Sequence, residues 1–365
     1  MRCSVSGGGT GGHVYPALAV ARAVRDARPD VDLSYIGGAR GLENQLVAAE
    51  LDLPYHRLTV RSLRSATRDI HLVLDPLRLA ASAPQAFVLL GRLRPAAIFT
   101  SGGYLAVPLV AAARARGIPS LVWEGNVMPG RATRAVGRLA TRVAVSFPPT
   151  LAAFGSKGFV SGTPIRSFVG IDRDAARRSF GVAEEDRLLL VFGGSQAVAR
   201  FNAALGEALP RLVDDWRVLH LAGVTGVEAA REARERLPAE LRERYTIEPF
   251  LTDRMADALV AADLVVGRAG SSTCAELTAV GVAAILVPYP YAGAHQRLNA
   301  AWLAEQGAAV AVPDEELDGD RLIAEAATLR DDRARAAIAK AASKLGRPDA
   351  ARRLAEELLA LATAR

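Results

Sequence analysis

The sequence predicts two doubly wound α/β domains, each a parallel sheet with helices on both faces. Three observations carry this. Short β-rich runs alternate with amphipathic segments along most of the chain. The alternation pauses at Gly162-Thr-Pro-Ile-Arg166 and then restarts. The length, 365 residues, suits two domains of roughly 100–200 residues each.

In the first half, residues 3–6, 33–37, 97–100, 120–123 and 142–145 read as buried strands. The stretches from His13, Gly41, Tyr104 and Gly130 read as the helices between them. In the second half the strand-like runs are 188–192, 218–222, 246–249, 264–267 and 284–287. The tail from Arg321 is Ala-rich, charged and helical. The expected boundaries are 1–163 and 164–345, with a final helix at about 346–365 able to pack back on the first domain.

Half of the residues are hydrophobic and 23% are charged, which excludes a disordered solvating chain. No uncharged apolar run approaches about 18 residues, so no membrane-spanning helix is expected. The opening MRCSVSGGGTGGH has no apolar signal-peptide core. Cys3 and Cys274 lack metal-ligand spacing, which suits a reducing, cytoplasmic setting and excludes a disulfide scaffold or zinc ribbon.

The net charge is +6, and the basic residues are nearly all arginine. Between Tyr55 and Pro95 stand seven arginines against two aspartates, so +5 of the excess lies in one stretch. Such an excess suits nucleic acid, an anionic membrane or a phosphorylated substrate. Aromatics are 5% and do not interleave with the basic residues, which disfavours nucleic acid.

Four glycine-rich turns stand at expected strand ends, two in each half. They are Gly7-Gly-Gly-Thr-Gly-Gly12-His13, Thr100-Ser-Gly-Gly-Tyr104, Gly193-Gly-Ser-Gln196 and Arg268-Ala-Gly-Ser-Ser-Thr273. Ligands of open α/β sheets bind at the carboxyl ends of the strands. Glycine lets backbone approach a ligand, and a helix N-terminus offers N–H groups and a positive dipole end. Gly7, Gly9 and Gly12 satisfy G-x-G-x-x-G, but Ile36 is followed by Gly37-Gly38 where a dinucleotide site needs an acid, and Asp32 falls inside the strand. A pair of turns in each half points to one ligand per domain, meeting across a cleft.

The ordered set GGGTGGHVYPALAVA, SGGY, WEGN, GTPIR, FGGSQ, GRAGSSTCAEL and HQRLNA resembles the MurG family, within glycosyltransferase family 28. The resemblance runs from about residue 4 to about residue 305. It implies the GT-B fold, two Rossmann-like domains facing a cleft, with no metal and no cofactor. It also implies an inverting transfer of N-acetylglucosamine from UDP-N-acetylglucosamine to the muramoyl C4 hydroxyl of lipid I. The product is lipid II, for peptidoglycan synthesis, made at the cytoplasmic face of the membrane.

By the same resemblance, Glu276 holds the uridine ribose, and Phe250 and Leu251 pack against uracil. Ser271, Ser272 and Thr273 cradle the phosphates, and Ser195 and Gln196 lie near the diphosphate and sugar. Gln296, Asn299, Arg166, Thr10, Gly11, Gly12 and Asn126 complete the donor set. Gly103 and Tyr104 lie on the acceptor side, and His13 and Glu124 are the catalytic candidates. The chain departs from the family's His-Glu-Gln-Asn at Trp123 and Gly125, and from its Gly-Gly-Ser-Gln-Gly at Ala197.

Glycosyl transfer needs a base for the incoming hydroxyl and a partner for the departing diphosphate. No Asp-x-Asp stands at a strand end to hold a metal-diphosphate. Backbone N–H groups of the glycine turns, the helix dipole near Ser272 and Arg166 can take that role. A neutral imidazole accepts a proton near pH 7, so His13 is the first candidate base and Glu124 the rival. Their structural alternatives are a turn contact for His13 and an arginine pair for Glu124. Thr273-Cys-Ala-Glu276 also reads as a helix capping box, the structural alternative for Glu276. His295 suits either a donor contact or a helix start.

The 57–94 arginine- and leucine-rich stretch reads as one amphipathic helix with a solvated basic face, or as a peripheral docking surface for an anionic membrane. Two rival functions share the fold: a GT-B glycolipid glycosyltransferase with another acceptor, and a UDP-sugar epimerase.

Overall fold

The computed structural model describes residues 1–8, 11–38, 43–59, 71–193, 199–290 and 295–364, without the side chains of 43, 45 and 71–80. The chain forms two units. One comprises residues 1–165 and 348–365, the other residues 166–347.

The first unit holds a seven-stranded sheet. Its strands are β1 (Arg2–Ser6), β2 (Asp32–Gly38), β3 (Tyr55–Leu58), β4 (Ala97–Thr100), β5 (Ser120–Glu124), β6 (Arg142–Val145) and β7 (Gly158–Val160). Their order is β3-β2-β1-β4-β5-β6-β7, all parallel. The central strands are apolar runs buried on both faces, as a helix-covered parallel sheet requires.

The helix Gly11–Ala27 lays Val14, Ala17, Leu18, Ala21 and Val24 on the sheet at helical spacing. The last helix, Ala350–Thr363, returns to this unit and buries Leu354, Ala355, Leu358 and Ala362 in the same core cluster. On the opposite face His71–Leu93 and Ala106–Ala115 cover the sheet, with Ala86, Leu90, Leu105 and Leu109 inside. The basic stretch is therefore helical from His71, not throughout, and begins with the edge strand β3. Its residues 60–70, with Arg61, Arg64 and Arg68, lie outside the described residues.

The second unit holds β8 (Leu188–Phe192), β9 (Arg217–Leu221), β10 (Tyr245–Glu248), β11 (Leu264–Gly267), β12 (Ala283–Leu286) and β13 (Val310–Ala311). The order is β10-β9-β8-β11-β12-β13, again all parallel. Phe201, Leu205, Leu209 and Leu212 of the helix Ala199–Asp215 fill its core beside Trp216.

Both sheets reverse strand order once, between β1 and β4 in the first and between β8 and β11 in the second. A crevice opens at such a reversal because the neighbouring connections run to opposite faces. In sequence the four glycine-rich segments follow β1, β4, β8 and β11, with residues 9–10 and 194–196 outside the described residues. Their placement is thus a consequence of topology.

Candidate active site

In the first unit, the turn after β1 meets the turn after β4. His13 Nδ1 lies 2.8 Å from the Ser101 carbonyl oxygen. A carbonyl only accepts, so Nδ1 carries a proton, and in the neutral ring Nε2 carries the lone pair. The Ser101 hydroxyl donates in return to the His13 carbonyl at 2.7 Å. Gly103 has φ +71°, and a Cβ there would stand 3.4 Å from His13 Cδ2 and Nε2. The positive φ would strain any side chain there, and its Cβ would sit in van der Waals contact with the His13 ring. At Gly7 a Cβ would fall 2.3 Å from the His13 carbonyl oxygen. Gly11 and Gly12 open the helix that carries His13, Tyr104 is half-buried beside Gly103, and Thr10 lies outside the described residues.

Glu124 ends β5 and is buried. One carboxylate oxygen accepts from the Asn126 backbone N–H at 3.0 Å and from Asn126 Nδ2 at 3.1 Å. The other accepts from the Gly130 N–H at 3.0 Å. The carboxylate thus braces the 125–130 loop with three donors, and among the described residues the expected alternative, an arginine pair, is not made. The same contacts turn the Asn126 amide toward Glu124. Trp123, the first departure from the family pattern, is buried in the sheet and donates its indole N–H to the Gly162 carbonyl at 3.0 Å.

In the second unit, the helix Ser271–Val280 starts directly after the β11 turn, with Gly270 at its cap and no side chain capping it. The first N–H groups of a helix have no partner within it, so Ser271, Ser272 and Thr273 present anion-binding amides. Thr273 lies inside the first turn. The expected capping box is accordingly absent, because its threonine stands three residues past the cap.

Glu276 instead accepts from Arg166 Nε at 2.8 Å. Burial pushes its carboxyl upward, and the Arg166 charge and hydrogen bond oppose that shift. Arg166 Nη1 also reaches the Thr252 carbonyl at 3.4 Å. The ribose candidate is thereby joined to the uracil candidates Phe250, half exposed, and Leu251.

Gln296 Oε1 accepts from the Tyr289 N–H at 3.0 Å, and its Nε2 faces Gly270. Asn299 is fully buried, and its Nδ2 donates to the Ala269 carbonyl at 3.1 Å. It braces the turn from behind. His295 begins the helix His295–Glu305. Ser195, Gln196 and Ala197 lie outside the described residues. Arg268 stands in a glycine-rich motif that gives it no role of its own, and no sequence pattern marks Asp314. The structure pairs them at the turn that follows β11.

Two parallel sheets with paired glycine turns at both reversals define the GT-B class. Comparison with known proteins makes the assignment particular. The glycosyltransferase family 28 N-terminal domain matches residues 4–145, and the family's C-terminal domain matches residues 188–354. The chain belongs to glycosyltransferase family 28 and is a glycosyltransferase.

It is 40% identical to a Salinibacter ruber protein, over 98% of this chain and 95% of that one. It is 37% identical to a Desulforudis audaxviator protein, over 96% and 95%. Both are named UDP-N-acetylglucosamine--N-acetylmuramyl-(pentapeptide) pyrophosphoryl-undecaprenol N-acetylglucosamine transferase. The crystal structure of Acinetobacter baumannii MurG aligns with a TM-score of 0.81 at 29% identity, covering 98% of this chain and 99% of that one.

Proposed function

We propose that this protein moves N-acetylglucosamine from UDP-N-acetylglucosamine to the C4 hydroxyl of the muramoyl sugar of lipid I, with inversion. The observation that carries the proposal is similarity over 96–98% of this chain to transferases named for that reaction. The second unit is the donor unit in this reading, and the first is the acceptor unit.

His13 Nε2 takes the proton of the incoming hydroxyl. The hydroxyl oxygen bonds to the anomeric carbon as the bond from that carbon to the β-phosphate oxygen breaks. The electron pair leaves with UDP. The N–H groups at Ser271–Thr273 meet the charge that develops on the diphosphate. Glu276 receives the ribose hydroxyls and Arg166 orients it. Glu124 fits the base role less well than His13, because three N–H donors already occupy its oxygens.

The polyprenyl chain of the acceptor suits a peripheral protein at the cytoplasmic face of the membrane. Among the described residues no helix is long and apolar enough to cross a bilayer. The helix His71–Leu93 exposes Phe87 and Val88, and Arg57 and Arg92 line the groove between it and β3. Apolar side chains beside arginines suit an anionic headgroup boundary.

The deciding experiment is transfer of labelled N-acetylglucosamine from UDP to a short-chain lipid I analogue, with diacylglycerol as control acceptor. Labelled disaccharide lipid and UDP release that depends on lipid I are expected. Diacylglycerol carrying labelled N-acetylglucosamine, or epimerised donor without acceptor, would replace the proposal with one of its rivals.

A further inference from the structure

The carboxyl edge of the second sheet holds a buried carboxylate that the reaction just described does not use. Asp314 follows β13 on the short turn Asp314–Glu316. One of its oxygens pairs with Arg268 Nη1, and the other lies 3.1 Å from Arg200 Nε. Arg268 is itself buried and also donates to the carbonyls of Val287 at 3.2 Å and Pro288 at 3.4 Å. Its guanidinium carbon stands 4.7 Å from the centre of the Phe201 ring and 5.5 Å from that of Tyr289.

One ion pair thus gathers four segments that leave the sheet at the same edge. Arg200 and Phe201 follow β8, Arg268 follows β11, Pro288 and Tyr289 follow β12, and Asp314 follows β13. The turn after β11 is held at its base by Arg268 and at its next residue by the Asn299–Ala269 bond. The amides of Ser271–Thr273 begin immediately beyond.

We propose that Asp314 is a positioning residue for the donor diphosphate. Through Arg268 it holds the 268–271 turn in the geometry in which the helix N-terminus receives the anion, so that little rearrangement accompanies binding. This rests on the second unit being the donor unit. Asp314 touches no substrate.

The sign of the effect separates positioning from simple electrostatics. Asp314, Arg268 and Arg200 together carry a net positive charge. Removing the carboxylate raises that charge, which alone would tighten binding of an anion. Positioning requires the opposite, because a buried guanidinium that loses its carboxylate is drawn toward water and pulls the four segments apart.

The test measures UDP binding by calorimetry and steady-state kinetics for both substrates. Asp314→Ala is expected to weaken UDP binding and raise the donor KM about tenfold, with the acceptor KM unchanged. Asp314→Asn keeps an oxygen for Arg268 and is expected to restore most of the affinity. UDP binding that is unchanged or tighter in Asp314→Ala overturns the proposal. So does a lower melting temperature with a wild-type donor KM, or an equal rise in the acceptor KM. If Asp314→Ala does not fold, Asp314→Glu decides: the charge stays and the reach grows by one methylene. Weaker UDP binding then supports positioning, and wild-type binding overturns it. Failure of the donor reading itself would be seen separately, as a wild-type protein that does not bind UDP.

Discussion

The carboxyl edges of the two sheets share a topology and differ in chemistry. On the first, the turns are joined by neutral contacts. His13 bonds to the Ser101 carbonyl, Ser101 to the His13 carbonyl, and the Tyr35 hydroxyl to the Gly7 carbonyl at 2.7 Å. The buried carboxylate of Glu124 is enclosed by N–H donors. On the second edge the turns are joined by arginine–carboxylate pairs, Arg166 with Glu276 and Arg268 with Asp314. The difference follows the work proposed for each. A group that takes a proton benefits from an oriented, unoccupied lone pair. A surface that receives a diphosphate benefits from fixed cations and amides.

The sharpest way to break this comparison is at His13. His13→Ala is expected to lower kcat by about 10²–10⁴ while leaving UDP affinity near wild type. Equal losses in turnover and in UDP affinity would make His13 a binding residue and erase the contrast between the edges.

Next in size is Glu276. Glu276→Ala is expected to weaken UDP binding by roughly 10–100-fold, the scale of hydrogen bonds to a charged group, with the fold kept. Unchanged affinity by calorimetry would remove the ribose assignment. Because burial raises this carboxyl, acid protonates it sooner than an ordinary glutamate. UDP affinity should therefore fall as pH drops toward that raised value in the wild type. Glu276→Gln, which does not ionise, should lack this acid limb.

The smallest effect is expected at Glu124. Glu124→Gln keeps one acceptor oxygen for the loop and loses the other, so kcat/KM should fall by about tenfold or less. The pH–rate profile should keep its shape. Loss of its ascending limb would move the base from His13 to Glu124.

Much of this architecture can be read in the sequence because buried parallel strands are short apolar runs bounded by glycine. The runs at 97–100, 142–145, 188–192 and 264–267 coincide with β4, β6, β8 and β11. Three edge strands, β3, β7 and β13, are not readable in this way. They are two to four residues long and half-buried, so neither an apolar run nor an alternation marks them.

The same limit applies at the site. Motif order points to Glu276 and His13. It does not show that Glu276 pairs with Arg166, 110 residues away, or that Arg268 pairs with Asp314, 46 residues away. The capping-box pattern at Thr273 is a local signal that fails because the helix begins two residues earlier, after Gly270. Trp123 looks like a change on the acceptor side from sequence alone, yet its ring lies in the core and its N–H secures the chain at Gly162.

The helix Ala350–Thr363 belongs to the first unit although it follows the second in the chain. Its leucines cover apolar side chains of the helix Gly11–Ala27 and the sheet beneath. During synthesis those side chains emerge from the ribosome early and wait for a partner encoded some 330 residues downstream. The second unit can close its core first, since all of residues 166–347 precede that helix. The core of the half begun first is thus complete only after the second half has been made, and a fragment stopped near residue 165 would display an uncovered apolar face inviting aggregation.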